Sequence, residues 1–158
     1  MNSVLTKILI FLTFFILQSC SYKPIFVEKD YNFEIENLYF TGEKEINREI
    51  ENKLNLIKNN EDPLKKKYTV FIESKMRREI VSNDSKGDPL KFEMFILVNL
   101  KLKENEKLIL NKNIEKKNIY NNNSDKFELE KNEKIILENL SDKISDNIIS
   151  SIINLNDN

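Results

Sequence analysis

The sequence predicts an α+β fold: a four-stranded mixed sheet in the order strand-helix-strand-strand-strand-helix, with two helices packed on one face. Three observations carry this. Ile46, Ile50, Leu54 and Ile57 recur at helical spacing, and Leu137, Leu140, Ile144, Ile148, Ile152 and Leu155 do so over a longer run. Each set is the apolar stripe of a helix. Between the stripes the period falls to two: Phe92, Met94, Ile96, Val98, Leu100 and Leu102 alternate without a break, which is the pattern of a strand. Clusters of turn-forming residues separate the segments.

The elements follow in order. Tyr31, Phe33, Ile35 and Tyr39 fall on alternate positions, interrupted by Asn37, and form a first strand that Thr41-Gly42 ends. Glu43 and Glu45 then stand where a helix N-terminus favours negative charge. The first helix runs to Asn59-Asn60-Glu61-Asp62-Pro63, a stop signal. In the second strand Tyr68, Val70, Ile72 and Met76 share one face, with Lys75, Arg77 and Glu79 on the other. Asn83 to Pro89 is the strongest turn signal in the chain. The third strand also carries Phe95 and Leu97 on its opposite face, which suits a central position. Lys103 to Lys107 is a short polar turn. Leu108, Leu110, Ile114 and Tyr120 then alternate more weakly, with greater exposure expected at the far end. Asn121 to Ser124 is a turn with Ser124 as helix N-cap, and the last helix extends to about Leu155. Ile149 and Ile153 widen its stripe in the last two turns, which suits either a deeper core or a partner contact.

A strand, helix and strand in succession suit a parallel pair joined by a crossover. The two short turns that follow make the last three strands an antiparallel meander. Two amphipathic helices on one side of the sheet close a single core.

Composition excludes several functions. The chain has no His, no Trp, two Gly and a single Cys, Cys20. It therefore lacks the side chains for a Cys/His metal site or a Ser-His-Asp triad, and no Gly-rich phosphate loop is possible. No catalytic residue, metal site or cofactor is expected, and the protein reads as a non-enzyme. Basic and acidic residues nearly balance and are interspersed, with no basic arm for a nucleic acid.

Residues 1–19 have the form of a signal peptide: one positive charge at Lys7, the apolar run Ile8 to Leu17, then Gln18-Ser19. That run is about half the roughly 20 residues needed to span a bilayer. Leu17-Gln18-Ser19-Cys20 resembles the lipobox of bacterial lipoproteins, in which the cysteine takes a diacylglycerol, becomes the new N-terminus and receives an N-acyl chain. The division expected is therefore a lipoprotein signal peptide at 1–19, a lipidated tether at 20–30 and one domain at 31–158. Ser21, rather than an acidic residue, follows the cysteine, which points to the outer membrane.

Ser21-Tyr22-Lys23-Pro24-Ile25-Phe26 adds a further likeness. A basic residue, proline, an apolar residue and an aromatic, two residues after an acylated cysteine, resemble the start of the LptE family of lipopolysaccharide-assembly lipoproteins. The order of elements behind it is similar to that family's as well. The resemblance implies a lipid-anchored, periplasm-facing protein of the outer membrane. Such a protein plugs an LptD-like β-barrel, assists its assembly and binds lipopolysaccharide for insertion into the outer leaflet. It also implies that basic residues in the turn between the second and third strands, and near the start of the last helix, meet the lipid. Lys86 and Lys131 match those places, and Lys91 lies just beyond the turn. Arg77 and Arg78 are two of only three arginines in the chain, and Arg offers a planar fork to phosphate that Lys does not. The residues themselves leave open a different non-enzymatic lipoprotein, a pilotin-like chaperone or an inhibitor. Co-purification with a large β-barrel separates the two.

Overall fold

The computed structural model describes residues 33–57 and 64–156. Cys20, the signal peptide, the tether and the helix stop at Asn59 to Pro63 lie outside the described residues. The elements are β1 (Phe33–Gly42), α1 (Lys44–Asn55), β2 (Lys66–Asn83), β3 (Pro89–Glu104), β4 (Lys107–Asn121) and α2 (Lys126–Asn156). The sheet order is β1-β2-β3-β4, with β1 parallel to β2 and both later pairs antiparallel. The α+β architecture is the one the periodicities require.

Both helices lie on one face. Ile46, Ile50, Leu54 and Ile57 are buried, as are Leu137, Leu140, Ile144, Ile148 and Ile152. Ile149 is fully buried too, so the wide end of the last stripe belongs to the core. Between the helices, Lys53 of α1 pairs with Asp142 and Asp146 of α2. Partial burial works against its charge, but the hydrogen bonds to the two carboxylates outweigh that and raise its pKa.

The corner where β1 passes into α1 is built on Gly42, at φ +93°. A Cβ there would stand 1.9 Å from the carbonyl oxygen of Ser74 in β2, so only glycine lets the strands pair this closely before the chain turns. Fully buried Ser74 completes the corner: its Oγ accepts from the Glu43 N–H at 3.0 Å and donates to Asn47 Oδ1 at 2.7 Å. Asn47 Nδ2 returns a bond to the Thr41 carbonyl at 3.2 Å. Glu43 makes no side-chain cap, and the serine takes up an N–H that the helix leaves unpaired.

Four local expectations need correction. A β-bulge between Ile35 and Asn37 shifts the register of β1. Phe33 and Ile35 point into the core, but Tyr39 emerges on the opposite, open face of the sheet and is 52% exposed; an extra residue in a strand reverses every side chain beyond it. Met76 does lie on the helix-side face, yet it is exposed, because β1 and α1 stop short of it. In β4 the exposure runs the other way: Leu108 at the start is exposed and Tyr120 at the end is buried. The cap of α2 is Asp125 rather than Ser124, since the Asp125 carboxylate accepts the Phe127 and Glu128 N–H groups at 3.0 and 3.3 Å.

Candidate functional site

β1 ends at Gly42, opposite Ser74, while β2 runs on to Asn83. The far ends of β2, β3 and β4 therefore form a projecting three-stranded tip, covered on the helix side by the first turns of α2. The hairpin at its end is held by Asp84. Its carboxylate accepts the N–H groups of Lys86 and Asp88 at 2.8 and 2.9 Å, and its own N–H donates to the Asp88 carbonyl at 2.8 Å. The Lys86 side chain is presented outward from this turn.

Arg77 and Arg78 do not share a surface. Successive residues of a strand point to opposite faces, and the two arginines do different things. Arg77 lies on the open face over the ring of Phe95, 4.5 Å from its centroid, with Glu79 at 3.2 Å. Lys117 stands over the same ring at 5.5 Å and pairs with Glu93 at 2.9 Å. The two cations cover Phe95, which is only 7% exposed although no helix lies over it. The apolar second face of β3 is thus covered by arginine and lysine stems, which pack apolar surface while their charged ends stay in water.

Arg78 lies on the helix side and ties the sheet to α2. Its Nη1 donates to Glu133 Oε1 at 2.9 Å, and its guanidinium stacks over Phe92 at 4.6 Å. The Tyr120 hydroxyl donates to the same carboxylate oxygen at 2.6 Å, and the Phe92 and Tyr120 rings meet at 5.7 Å. The hydrogen bond to Glu133 raises the pKa of Arg78 further. Burial, followed by the bond to Glu133, drives the Tyr120 hydroxyl well above its ordinary range. Both shifts favour the protonated, donating forms, so Glu133 Oε1 accepts from two donors at once. This clamp fixes the start of α2 over the tip and pairs the charge of Arg78 within the chain, while its side chain stays about half exposed.

Lys86, Lys91 and Lys131 are exposed, and their ammonium groups form no ion pair among the described residues. They occupy one end of the molecule on three sides: the hairpin, the open face and the surface of α2. Of the five basic residues singled out from the sequence, these three remain available to an anionic ligand, whereas the arginines are engaged by Glu79, Phe95, Glu133 and Phe92. Nothing in the spacing of the sequence pointed to Glu133 or Tyr120, because their partners are distant along the chain. Among the described residues no group of His, Cys, Asp and Glu is placed to hold a metal ion, and no helix is long and apolar enough to cross a membrane.

No family model and no curated protein matches the sequence. Solved structures do. Lipoprotein B from Nitrosomonas europaea superposes with a TM-score of 0.57 at 13% identity, over 87% of this chain and 93% of that one. Rare lipoprotein B from Shewanella oneidensis gives 0.55 at 18% identity, over 76% and 98%. A minor lipoprotein from Acinetobacter baumannii gives 0.52 at 14%, over 77% and 96%. The chain has the fold of these lipoproteins. The match spans 93–98% of each of these chains and 76–87% of this one.

Proposed function

We propose that this chain is a lipid-anchored, non-catalytic protein of the outer membrane that works as LptE proteins do. Cys20 carries a diacylglycerol and an N-acyl chain, the segment 20–30 tethers the domain, and the domain faces the periplasm. There it accompanies an LptD-like β-barrel and binds lipopolysaccharide. The observation that carries the reading is a conjunction. A lipobox at Leu17 to Cys20, followed by Lys23-Pro24-Ile25-Phe26, precedes a domain with the fold of solved lipoproteins. Two acyl signals are needed for stable anchoring at about 0.8 kcal/mol per buried CH₂, and triacylation of the cysteine supplies them.

The lipid-binding part of the proposal rests on Lys86, Lys91 and Lys131. Lipopolysaccharide is anionic, and a lysine without an internal partner gives a charge-assisted hydrogen bond to phosphate without first breaking another contact. Arg78 supports this surface indirectly by holding α2 in place, and Arg77 by covering Phe95. A single exposed charge contributes about 0.2–1 kcal/mol, so one substitution is masked by its neighbours. Reversal of Lys86, Lys91 and Lys131 to Glu together is expected to weaken lipopolysaccharide binding roughly tenfold or more, on three such contributions. Folding is expected to be unchanged, since none of the three holds another element. Wild-type affinity in the triple variant would remove these lysines from the lipid site. Binding of the unaltered protein is also expected to fall as salt rises, because exposed charges are screened.

A further inference from the structure

The open face of the sheet carries a groove. Below the tip, two adjacent cross-strand rows lie side by side. One runs Tyr39, Phe71, Lys101, Asn111 across all four strands; the next brings Glu73, Asn99 and Asn113 into line. The first row begins with an aromatic platform: Tyr39 and Phe71 stack with centroids 5.0 Å apart and planes at 18°. The second is a row of amides. Asn99 Nδ2 donates to Asn113 Oδ1 at 2.7 Å and to Asn111 Oδ1 at 3.0 Å. With its amide nitrogen engaged, Asn99 keeps its own carbonyl oxygen as an acceptor, while the Asn111 and Asn113 NH₂ groups are left to donate. Tyr39, Phe71, Glu73, Asn99, Lys101 and Lys103 line a groove of about 260 Å³, and the Glu73 carboxylate in it is paired with Lys75 at 2.8 Å.

The two aromatic clusters of this face are finished differently. Phe95 is closed on both sides by Arg77 and Lys117 and is buried. Tyr39 is half exposed, and its neighbour Phe71 is met by a cation, Lys103, at 5.2 Å. An aromatic face left open beside donors, acceptors and lysines matches a ring that is apolar on its faces and hydroxylated at its rim. We infer that this groove binds an acidic saccharide. One sugar ring stacks on Tyr39, rings joined to it bond the Asn99, Asn111 and Asn113 amides two and three strands away, and a carboxylate of the saccharide meets Lys101. An acyl chain is disfavoured, because it would strand the amides and the ammonium against a hydrocarbon. The inference rests on the proposed function only for the source of the sugar, the saccharide part of lipopolysaccharide. It involves none of the lysines of the tip.

The test is a titration of the full chain in detergent micelles, followed by the side-chain amide resonances of its asparagines. The probe is the oligosaccharide of lipopolysaccharide, stripped of acyl chains and phosphate. The expected result is saturable binding that shifts the Asn99, Asn111 and Asn113 amides. Tyr39→Ala is expected to weaken it about tenfold, Tyr39→Phe to preserve it and Asn113→Ala to weaken it. Ile119→Ala, on the same face but roughly 20 Å along the strand at about 3.3 Å per residue, is expected to change nothing. Failure of the oligosaccharide to bind, or equal affinity in Tyr39→Ala, overturns the inference. So does inorganic phosphate alone binding as well as the oligosaccharide, which would make the groove a simple anion site. Intact lipopolysaccharide, titrated in parallel, distinguishes the two proposals. If it binds wild type and Tyr39→Ala alike while the oligosaccharide does not bind, the saccharide groove is refuted and the lipid-binding function stands; if neither ligand binds, both are refuted.

Discussion

Gly42→Ala is expected to destabilise the protein by roughly 2–6 kcal/mol. About 1–3 kcal/mol comes from a side chain held at a backbone conformation it rarely adopts, and about 1–3 from overpacking. The added methyl cannot be accommodated by a rotamer change, because what it meets is backbone: the Ser74 carbonyl oxygen 1.9 Å away. Relief requires β1 to move off β2, and that motion pulls on the Ser74–Glu43–Asn47 bonds that anchor α1. Gly87 provides the control. It has the same φ of +93° in the tip hairpin, but a Cβ there meets nothing within 4 Å. Gly87→Ala is therefore expected to cost only the conformational part, about 1–3 kcal/mol. Thermal unfolding of both variants checks this. A melting temperature lowered by roughly 10 °C or more in Gly42→Ala, and by a few degrees in Gly87→Ala, is the expected pair; equal losses would mean that close approach of the strands is not what the glycine serves.

Ile144→Asp is expected to abolish folding. Ile144 is fully buried at the middle of the α2 stripe, beside fully buried Ser141, Ser145 and Ile148. An ionised carboxylate placed there has no partner, and the cost of burying an unpaired charge is many kcal/mol unless the group takes up a proton. A domain stable by about 5–15 kcal/mol does not survive that loss. Lys143→Asp, one residue earlier on the exposed face, removes no packing and is expected to shift stability by no more than about 0.5 kcal/mol. Circular dichroism and thermal melts of the two variants read the contrast, and indistinguishable melts would show the helix to be turned differently.

These two positions also mark what the chain discloses before it is folded. The phase of α2 is legible because six apolar residues repeat at helical spacing, so Ile144 is identified as core by neighbours within its own helix. The alternation from Phe92 to Leu102 places β3 in the same way. Gly42 is different: its role depends on Ser74, which reaches it only through the parallel pairing of β1 and β2. Tyr39 shows the same limit. Period two assigns it to the core side with Phe33 and Ile35, and a bulge between Ile35 and Asn37, which no turn residue announces, reverses it.

The tip is a mixed case. The turn at Asn83 to Pro89 and the exposure of Lys86, Lys91 and Lys131 follow from composition. That Arg77 and Arg78 face opposite ways follows from the strand period alone. What does not follow is how each arginine is engaged. Phe95 meets Arg77, and Glu133 meets Arg78, only when three strands and a helix are assembled, and Glu133 is separated from Arg78 by 55 positions. The aromatic and amide rows of the open face depend in addition on a register across four strands, set by two hairpins and by the parallel β1–β2 pair with its bulge rather than by any one segment.

Purification of the full-length protein from outer membranes, with an intact mass and identification of whatever remains bound, tests the account most directly. The predicted result is a mature chain beginning at Cys20, heavier than its sequence by a diacylglycerol and an N-acyl chain, and accompanied by a large β-barrel. Cys20→Ala is predicted to lose the added mass and the membrane association. A mature chain without acyl groups, or an acylated one recovered with no barrel partner, would contradict it.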